Sequence, residues 1–486
     1  MTARPRHARE VRHWDGEADV VIVGYGVAGA AAAIGAAVEG VDVLLIEHAG
    51  GWGGAAVLAG GFVYLGGGTA LQRACGFHDT PEAMYRFLEA AMGPAADTAK
   101  LAEYAEHSVE HFDWLTRCGV PFRAAFFDRP AWEPPGDEGL MYSGGENAHP
   151  FADIAPPAPR GHLPRMADKR TGERGAGYEL MRHLAATAEE SGARVRYHTR
   201  FQRLVVADGG RVSGVIARSL AEEVAIRARR GVVLAAGGFT YHADMVDRHV
   251  PVLRGRPGSA VEQHDGRAIR AAQAIGADVA HLWACEAAVH TDPGLMIRGI
   301  VVNARGERVI NEDTYPGRIG QELLMHHASQ GFVVIDEEGA DAAAADRPTA
   351  SMLPPPQPRW VGDDLAELEK AMEVPPGALA ATVTLYNRHA ADGRDPVHHK
   401  AAPWVRPLRP PYGVYDVRGQ TSGFTLGGLR TDAGGAVLDV DGEAIAALYA
   451  AGRTAAGVAA GGYASGVSLG DGSFFGRRAG RAAARG

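Results

Sequence analysis

The sequence predicts an α/β fold, in which a domain with a buried parallel sheet carries a second domain inserted into it. The first observation is a strand, a helix and a strand at the front of the chain, separated by glycines. The second is the return of the same strand-and-glycine texture near the C-terminus, after a stretch of different composition. The chain has 486 residues, more than one hydrophobic core usually supports, so two domains are expected.

The front unit is predicted from apolar runs. Residues 20–23 form a continuous apolar run that is typical of a buried parallel strand. Residues 27–39 are rich in alanine and stop at Gly40, as a helix does. A second apolar run, 41–46, predicts the next strand. Together these segments predict one βαβ unit of the Rossmann type.

The residues between these elements indicate what the unit binds. Gly24 permits a tight turn, Gly26 lets backbone N–H groups approach a pyrophosphate at the helix N-terminus, and Gly29 allows close packing of helix and strand. Glu47 ends the second strand, where its carboxylate can accept a hydrogen bond from a ribose hydroxyl. The combination predicts a bound dinucleotide, because a glycine-rich turn without a ligand leaves Glu47 without a role.

Other segments extend this pattern along the chain. Nine glycines interleaved with aromatic residues lie between positions 50 and 68, which favours ordered backbone close to a flat ring such as an isoalloxazine. Residues 129–161 are rich in Pro, Gly and aromatic residues, and we interpret them as a long functional loop. Residues 230–238 predict a strand that ends in glycines. The pair Arg477–Arg478 is interpreted as part of an exposed terminal helix.

Composition narrows the classes of partner. The net charge is −9 and the 49 Lys and Arg residues are dispersed, which argues against nucleic acid or an anionic membrane surface. Three cysteines are too few for a disulfide framework, and a reducing cytoplasm fits best. No apolar run approaches the roughly 18 residues of a spanning helix, so no membrane span is expected. His264–Asp265 and His290–Asp292 lack a third ligand at suitable spacing, so no metal site is predicted.

Several motifs are shared with one large family. On these motifs, the chain resembles the fumarate reductase/succinate dehydrogenase flavoprotein superfamily over essentially its whole length. The motifs are Gly24 to Gly29 with Glu47, Gly231-Val-Val-Leu-Ala-Ala-Gly-Gly238, Arg308-Val-Ile-Asn311-Glu312, Thr425-Leu-Gly-Gly428 and Leu448-Tyr-Ala-Ala-Gly452.

The resemblance implies FAD as the cofactor and a cap domain that closes over the flavin where substrate binds. It implies a discontinuous FAD-binding domain of residues 1–281 and 412–486, with the cap at 282–411. It also implies that the last glycine-rich turn presents backbone amides to the flavin pyrimidine. The residues expected to bind FAD are Gly24, Gly26, Val27, Ala28, Gly29, Glu47, His48, Gly53, Gly54, Ala55, Gly60, Gly61, Val206, Ala236, Gly237, Asp265, Gly452, Ser468 and Leu469.

Two departures from the fumarate reductases bear on the substrate. Those enzymes carry one arginine just after their segment matching Asn311–Glu312 and another in the last glycine-rich turn, and these hold a dicarboxylate. Here the corresponding neighbourhoods carry Tyr315 and Tyr463, although Arg318 leaves open a shifted register that restores one arginine. A tyrosine pair suits a large apolar substrate with one carbonyl, so fumarate and succinate are disfavoured.

This tyrosine pattern resembles the 3-ketosteroid dehydrogenases of the same superfamily, and is more similar to the Δ4-(5α) type than to the Δ1 type. The resemblance implies that Tyr463, with the Gly466 amide as an option, lies near the substrate carbonyl, and that Ser465 and Tyr315 remove the proton. Neither hydroxyl is a ready base at neutral pH, because a phenol titrates near about 10 and serine is a weaker acid. A relay to solvent or a stabilised phenolate would have to supply the basicity.

The sequence therefore predicts FAD-dependent dehydrogenation of a 3-ketosteroid at C4–C5, with an external electron acceptor. Δ1-dehydrogenation and reduction of another activated alkene, as in the fumarate reductases, remain alternatives. A third alternative is a flavoprotein subunit that passes electrons within a larger complex, although no iron–sulfur cysteine set or haem-attachment motif is evident.

Overall fold

The fold was analysed in a computed structural model, in which residues 4–167, 175–348, 351 and 353–486 are described. The strands of these residues are β1 (Arg6–His7), β2 (Gly16–Val23), β3 (Val43–Ile46), β4 (Val63–Tyr64), β5 (Phe126–Phe127), β6 (Leu140–Met141), β7 (Gly161–His162), β8 (Arg194–Arg196), β9 (Thr199–Val206), β10 (Val212–Ser219), β11 (Glu222–Leu234), β12 (Val279–Ala280), β13 (Cys285–Val289), β14 (Ile300–Asn303), β15 (Gly331–Asp336), β16 (Trp360–Gly362), β17 (Tyr412–Asp416), β18 (Thr421–Thr425), β19 (Gly428–Leu429), β20 (Ala436–Leu438) and β21 (Ala444–Ala450).

The α-helices surround these strands. They are α1 (Val27–Ala37), α2 (Ala70–Ala74), α3 (Pro81–Met92), α4 (Thr98–Glu106), α5 (Ser108–Arg117), α6 (Phe151–Ile154), α7 (Ala176–Glu190), α8 (Ala243–His249), α9 (Arg267–Gln273), α10 (Pro293–Arg298), α11 (Pro316–His327), α12 (Glu337–Asp346), α13 (Leu365–Met372), α14 (Ala378–Ala390) and α15 (Val467–Arg485).

The largest sheet has nine strands and contains the predicted βαβ unit. Its order is β1-β9-β10-β11-β2-β3-β8, with β21 paired to β11 and β20 paired to β21. The pairs of β2 with β3 and β11, of β3 with β8, and of β11 with β21 are parallel. Helices α1, α7 and α15 pack on one face, and α8 and α9 on the other. The predicted α/β class is thus confirmed.

A smaller antiparallel sheet lies within the segment predicted as an insertion. Its order is β14-β15-β17-β16, with α13 and α14 packed on one face and α10, α11 and α12 on the other. Strands β13 and β18 pair antiparallel where the chain passes between the two regions. The smaller sheet includes β17, which follows the predicted boundary at 411, and the exact domain boundaries stay a prediction.

The C-terminal helix is buried, which corrects the expectation of an exposed terminal helix. Arg477 is only 3% exposed and pairs with Glu110 at 3.0 Å. The reason is close packing of α15 on α1, where a Cβ on Gly476 would lie 2.4 Å from the Ala28 carbonyl oxygen. Within the described ranges, no helix has both the length and the apolar character needed to cross a membrane.

Candidate functional site

A cavity of about 740 Å³ opens at the carboxyl ends of the parallel strands β2, β3 and β11. Its wall includes Gly24 after β2, Glu47 after β3, and Ala236 and Gly237 after β11. This edge is where open α/β sheets bind ligands, because the strands leave a crevice between diverging loops. The cavity continues to α11 and to the turn before α15, so it joins the large sheet to the inserted region.

The glycines of the first turn take the conformations that the sequence predicted. Gly24 has φ +100°, and a Cβ there would lie 2.5 Å from the Ala235 carbonyl oxygen. A Cβ on Gly29 would lie 1.9 Å from the carbonyl oxygen of Gly24, so only glycine allows α1 to pack so closely. Around Gly26 there is space, since the nearest atom to an added Cβ is the Gly53 oxygen at 3.8 Å.

The start of α1 has the character of a pyrophosphate cradle. Gly26 caps the helix without a side-chain hydrogen bond, so the first backbone N–H groups face the cavity with the positive end of the helix dipole. Glu47 accepts hydrogen bonds from the backbone N–H groups of Tyr25 at 2.7 Å and Ala49 at 2.8 Å. These bonds hold its carboxylate at the strand end, where each oxygen retains a lone pair for a ribose hydroxyl.

Most residues predicted to bind FAD line this cavity. Those in the lining are Gly24, Gly26, Val27, Ala28, Glu47, His48, Gly54, Ala55, Gly60, Ala236, Gly237, Asp265, Gly452, Ser468 and Leu469. Gly29, Gly53, Gly61 and Val206 lie outside the lining. Val206 ends β9 opposite His7 of β1, whereas Thr199, Arg200 and Phe201 at the start of that strand face the cavity.

The three predicted catalytic residues, Tyr315, Tyr463 and Ser465, line the same cavity. Tyr315 is the residue before Pro316, which begins α11, and it is 9% exposed. Its hydroxyl donates a hydrogen bond to Glu286 Oε1 at 3.3 Å. Burial and the neighbouring Glu286 raise the pKa of Tyr315 well above its ordinary value, while the Ser465 side chain acts in the opposite direction.

Tyr463 is placed to donate a hydrogen bond into the cavity. Its hydroxyl oxygen accepts the backbone N–H of Ser468 at 3.3 Å, and its ring packs edge-on against Phe424, with 5.6 Å between ring centroids. Burial raises the pKa of Tyr463 to about 12. The phenol therefore keeps its proton at neutral pH and remains a neutral donor.

The backbone of Ser465 is fixed by the loop that the sequence indicated as functional. The Ser465 N–H donates to the Ser143 carbonyl at 2.8 Å, and Ser143 Oγ donates to the Ser465 carbonyl at 2.9 Å. Trp132 of the same loop lines the cavity and donates its indole N–H to the Thr291 carbonyl at 2.9 Å. A second cavity of about 140 Å³ shares Trp132, Tyr315 and Ser465 with the main one.

Comparison with known proteins identifies the family. The profile of the FAD binding domain family matches residues 19–469. The structure of a 3-ketosteroid-Δ4-(5α)-dehydrogenase from Rhodococcus jostii RHA1, in complex with 4-androstene-3,17-dione, is 57% identical, covers 99% of both chains and has a TM-score of 0.97. The chain belongs to the FAD-binding flavoprotein family that includes the 3-ketosteroid dehydrogenases.

Two curated members of this flavoprotein family are also similar. The 3-oxo-5-alpha-steroid 4-dehydrogenase of Comamonas testosteroni is 30% identical over 68% of this chain and 69% of its own length. The 3-oxosteroid 1-dehydrogenase of Mycobacterium tuberculosis is 29% identical over 91% of this chain and 93% of its own. FAD is therefore the cofactor of this flavoprotein, and the predicted family resemblance is confirmed.

Arg318 does not supply the missing arginine of the fumarate reductases. Its guanidinium donates to the His149 carbonyl at 3.4 Å and lies 4.7 Å from the centre of the Phe151 ring. It is absent from the described lining of both cavities. A shifted register therefore places no arginine beside Tyr315 in this flavoprotein.

Glu286 and Arg453 are among the ionisable residues in the cavity wall that sequence reasoning missed. Glu286 is 3% exposed, its Oε2 has no hydrogen-bond partner, and burial raises its pKa to about 8. Arg453 lies 4.5 Å from the centre of the Phe424 ring, and no carboxylate pairs with it in the part of the chain that the structure describes. The available signal was a lone carboxylate in an otherwise apolar strand, which needs a reason because burying it is unfavourable.

Proposed function

We propose that the protein is an FAD-dependent 3-ketosteroid dehydrogenase that introduces a double bond between C4 and C5. The observation that carries the proposal is that Tyr315, Tyr463 and Ser465 line the same cavity as the residues of the FAD fingerprint. The identity of 57% to the Rhodococcus jostii enzyme over nearly the whole chain supports the same assignment.

The carbonyl end of the substrate is assigned to Tyr463. Enolisation toward C4 requires a donor at the C3 oxygen, because negative charge develops there when the C4 proton leaves. Tyr463 supplies a neutral hydroxyl, and the Gly466 backbone precedes α15 without a side-chain cap. Fixed donors of this kind stabilise a developing oxyanion without moving charge into the cavity.

The proton at C4 is assigned to Ser465 and Tyr315, which line both cavities together. FAD, when bound along the cradle, supplies the acceptor for the hydride from C5. Trp132 and Phe424 add aromatic surface to the wall, which suits an apolar ring system. We also infer that an external acceptor reoxidises the cofactor and that the protein works in the cytoplasm, an environment that fits its three free cysteines.

The alternatives differ in product. Δ1-dehydrogenation uses the same carbonyl donor but removes hydrogens from C1 and C2. The similarity to the 1-dehydrogenase of Mycobacterium tuberculosis supports this alternative. Reduction of a dicarboxylate alkene is disfavoured, because such a dianion needs paired cationic forks and Arg318 points to the His149 carbonyl instead.

The decisive experiment is anaerobic mixing of the FAD-loaded protein with a 5α-3-ketosteroid, with the product identified by mass spectrometry and NMR. Rapid loss of the oxidised-flavin absorbance and a new C4–C5 double bond are the expected results. A C1–C2 double bond would reassign the regiochemistry. No bleaching by any 3-ketosteroid, with FAD fully bound, would reject steroid dehydrogenation.

Two variants test the site. Tyr315→Phe and Tyr463→Phe each remove one hydroxyl and preserve the ring, so FAD should stay bound while the rate of flavin reduction falls by about 10²-fold or more, the range of a lost proton-transfer or oxyanion group. Tyr415→Phe is the matched control, since Tyr415 is buried in the smaller sheet and outside the cavity lining. Unchanged rates in both site variants would remove these assignments.

A further inference from the structure

Three groups that can carry a proton, Ser465, Tyr315 and Glu286, line the same cavity. Ser465 and Tyr315 also share the wall of the second cavity, and Tyr315 donates a hydrogen bond to Glu286 Oε1 at 3.3 Å. We propose that they form a proton relay in which Glu286 is the final acceptor of the proton removed from C4. This inference rests on the proposed steroid dehydrogenation, and it answers the weak basicity of serine and tyrosine.

The local structure fixes Glu286 for this role. Because side chains alternate along β13, Glu286 and Ala288 face the cavity while Cys285 and Ala287 pack into the core beneath it. The start of α11 packs closely against Glu286 and Tyr315, since a Cβ on Gly317 would lie 2.4 Å from Glu286 Oε1 and 2.3 Å from the Tyr315 ring. The second carboxylate oxygen, Oε2, is buried without a partner.

Three titratable neighbours of Glu286 are uncharged near pH 7. Tyr315 faces it from the start of α11, Tyr463 from the turn before α15, and Cys285 is its neighbour on β13. Burial raises the pKa of Tyr463 and that of Cys285 to about 12 each. It also raises the pKa of Tyr315 well above its ordinary value. The facing residue on β18 is the apolar Phe424, and the Arg453 guanidinium lies 4.5 Å from the centre of its ring.

Burial without a cation makes Glu286 a strong base for a carboxylate. A buried carboxylate is destabilised relative to its protonated form, and this raises the pKa of Glu286 to about 8. Such a group accepts a proton more readily than an exposed glutamate does, and acceptance removes a charge from the low-dielectric cavity. The relay thus ends at a buried carboxyl that is stabilised when it receives the proton.

The step balances in atoms and charge. The C4–H bond breaks and its proton passes to Ser465 Oγ, while the Ser465 proton moves to Tyr315 Oη and the Tyr315 proton to Glu286. The electron pair left at C4 becomes the second bond between C4 and C5 as the hydride leaves C5 for the bound FAD. Glu286 becomes neutral as the hydride brings one negative charge to the cofactor, so the net charge of the cavity is unchanged.

The test uses Glu286→Gln in the FAD-loaded protein, because glutamine keeps the size and the hydrogen bond of the carboxyl but cannot take the proton. The rate of anaerobic flavin reduction by a 5α-3-ketosteroid should rise with pH through about 8 in the wild type, as the carboxyl ionises. In the variant the rise should disappear and the rate at high pH should fall by about 10²-fold, with the steroid KM little changed. Deuterium at C4 should then slow the variant more than the wild type, since proton removal limits it.

Two further variants make each result decisive. Glu286→Asp retains a carboxylate and should recover part of the rate and the pH-dependent rise. If the glutamine variant loses FAD, the aspartate variant provides the test in its place. Asp471→Asn is the matched control, because Asp471 is a buried carboxyl of raised pKa outside both cavity linings, and the rise near pH 8 should persist. A wild-type rate and pH profile in the glutamine variant would overturn the relay and indicate that the proton leaves through the second cavity. Absence of reduction in the wild type would overturn the steroid proposal itself.

Discussion

Replacing Glu286 by glutamine should change how stability depends on pH, whatever the substrate is. The carboxyl titrates at its ordinary 4.5 in the unfolded chain and at about 8 in the fold. Below pH 4.5 both states hold the proton, so its contribution to stability is complete. As the pH rises above 4.5 the unfolded chain loses the proton first, and this favours unfolding by about 1.4 kcal/mol per pH unit until the folded carboxyl ionises near 8.

The two pKa values give the size of the effect. Ionisation of Glu286 lowers the free energy of unfolding by about 5 kcal/mol in total. About 4 kcal/mol of this decrease occurs between about pH 5 and about pH 9. Urea unfolding of the FAD-loaded wild type and Glu286→Gln, at steps of about one pH unit, measures it as the difference between the two proteins. Asp471 and Glu146 also have raised pKa values, but they are present in both proteins and cancel. Parallel stability curves for the two proteins would refute the reasoning.

Two further predictions concern cofactor binding and helix packing. Arg453→Met removes a buried guanidinium that pairs with no carboxylate among the described residues, so the apoprotein should melt at a higher temperature and anionic FAD should stabilise the variant less than the wild type; an equal FAD-dependent gain in both would contradict this. Gly480→Ala should destabilise by about 1–3 kcal/mol in urea unfolding, because its Cβ would lie 2.0 Å from the Ala32 carbonyl oxygen. Helix propensity alone predicts the opposite sign.

The front of the fold could be predicted because its determinants are local. The strand, turn and helix around Gly24 and Gly29 depend on residues close in sequence, and the glycine conformations follow from steric limits on the backbone. The burial of α15 could not be predicted from local sequence, since its arginines suggested an exposed face. The overlooked signal was glycine at every fourth position from Gly472 to Gly480, which lets two helix backbones approach closely.

The part of the site proposed to be catalytic was only partly predictable, because its groups come from distant parts of the chain. Tyr315 and Tyr463 were identified through the family resemblance, whereas Glu286 reaches the cavity through the pairing of β13 with β18. Nothing near Glu286 in the sequence indicates which side of β13 faces the ligand. The long loop containing Trp132 was predicted as functional from its aromatic content, but its contact with Thr291 depends on the folded cap.

The separation of Glu286 from Arg453 has a chemical consequence. Both line one cavity, yet the Phe424 ring lies against the guanidinium and is the cross-strand neighbour of Glu286. An ion pair between them would lower the pKa of the carboxyl and leave it a weak base. Among the described residues no ion pair joins the two, so the carboxyl retains a raised pKa suited to accepting a proton, and the guanidinium remains available to an anionic ligand. An apolar cross-strand neighbour in place of a cation therefore leaves Glu286 the basicity that Ser465 and Tyr315 lack.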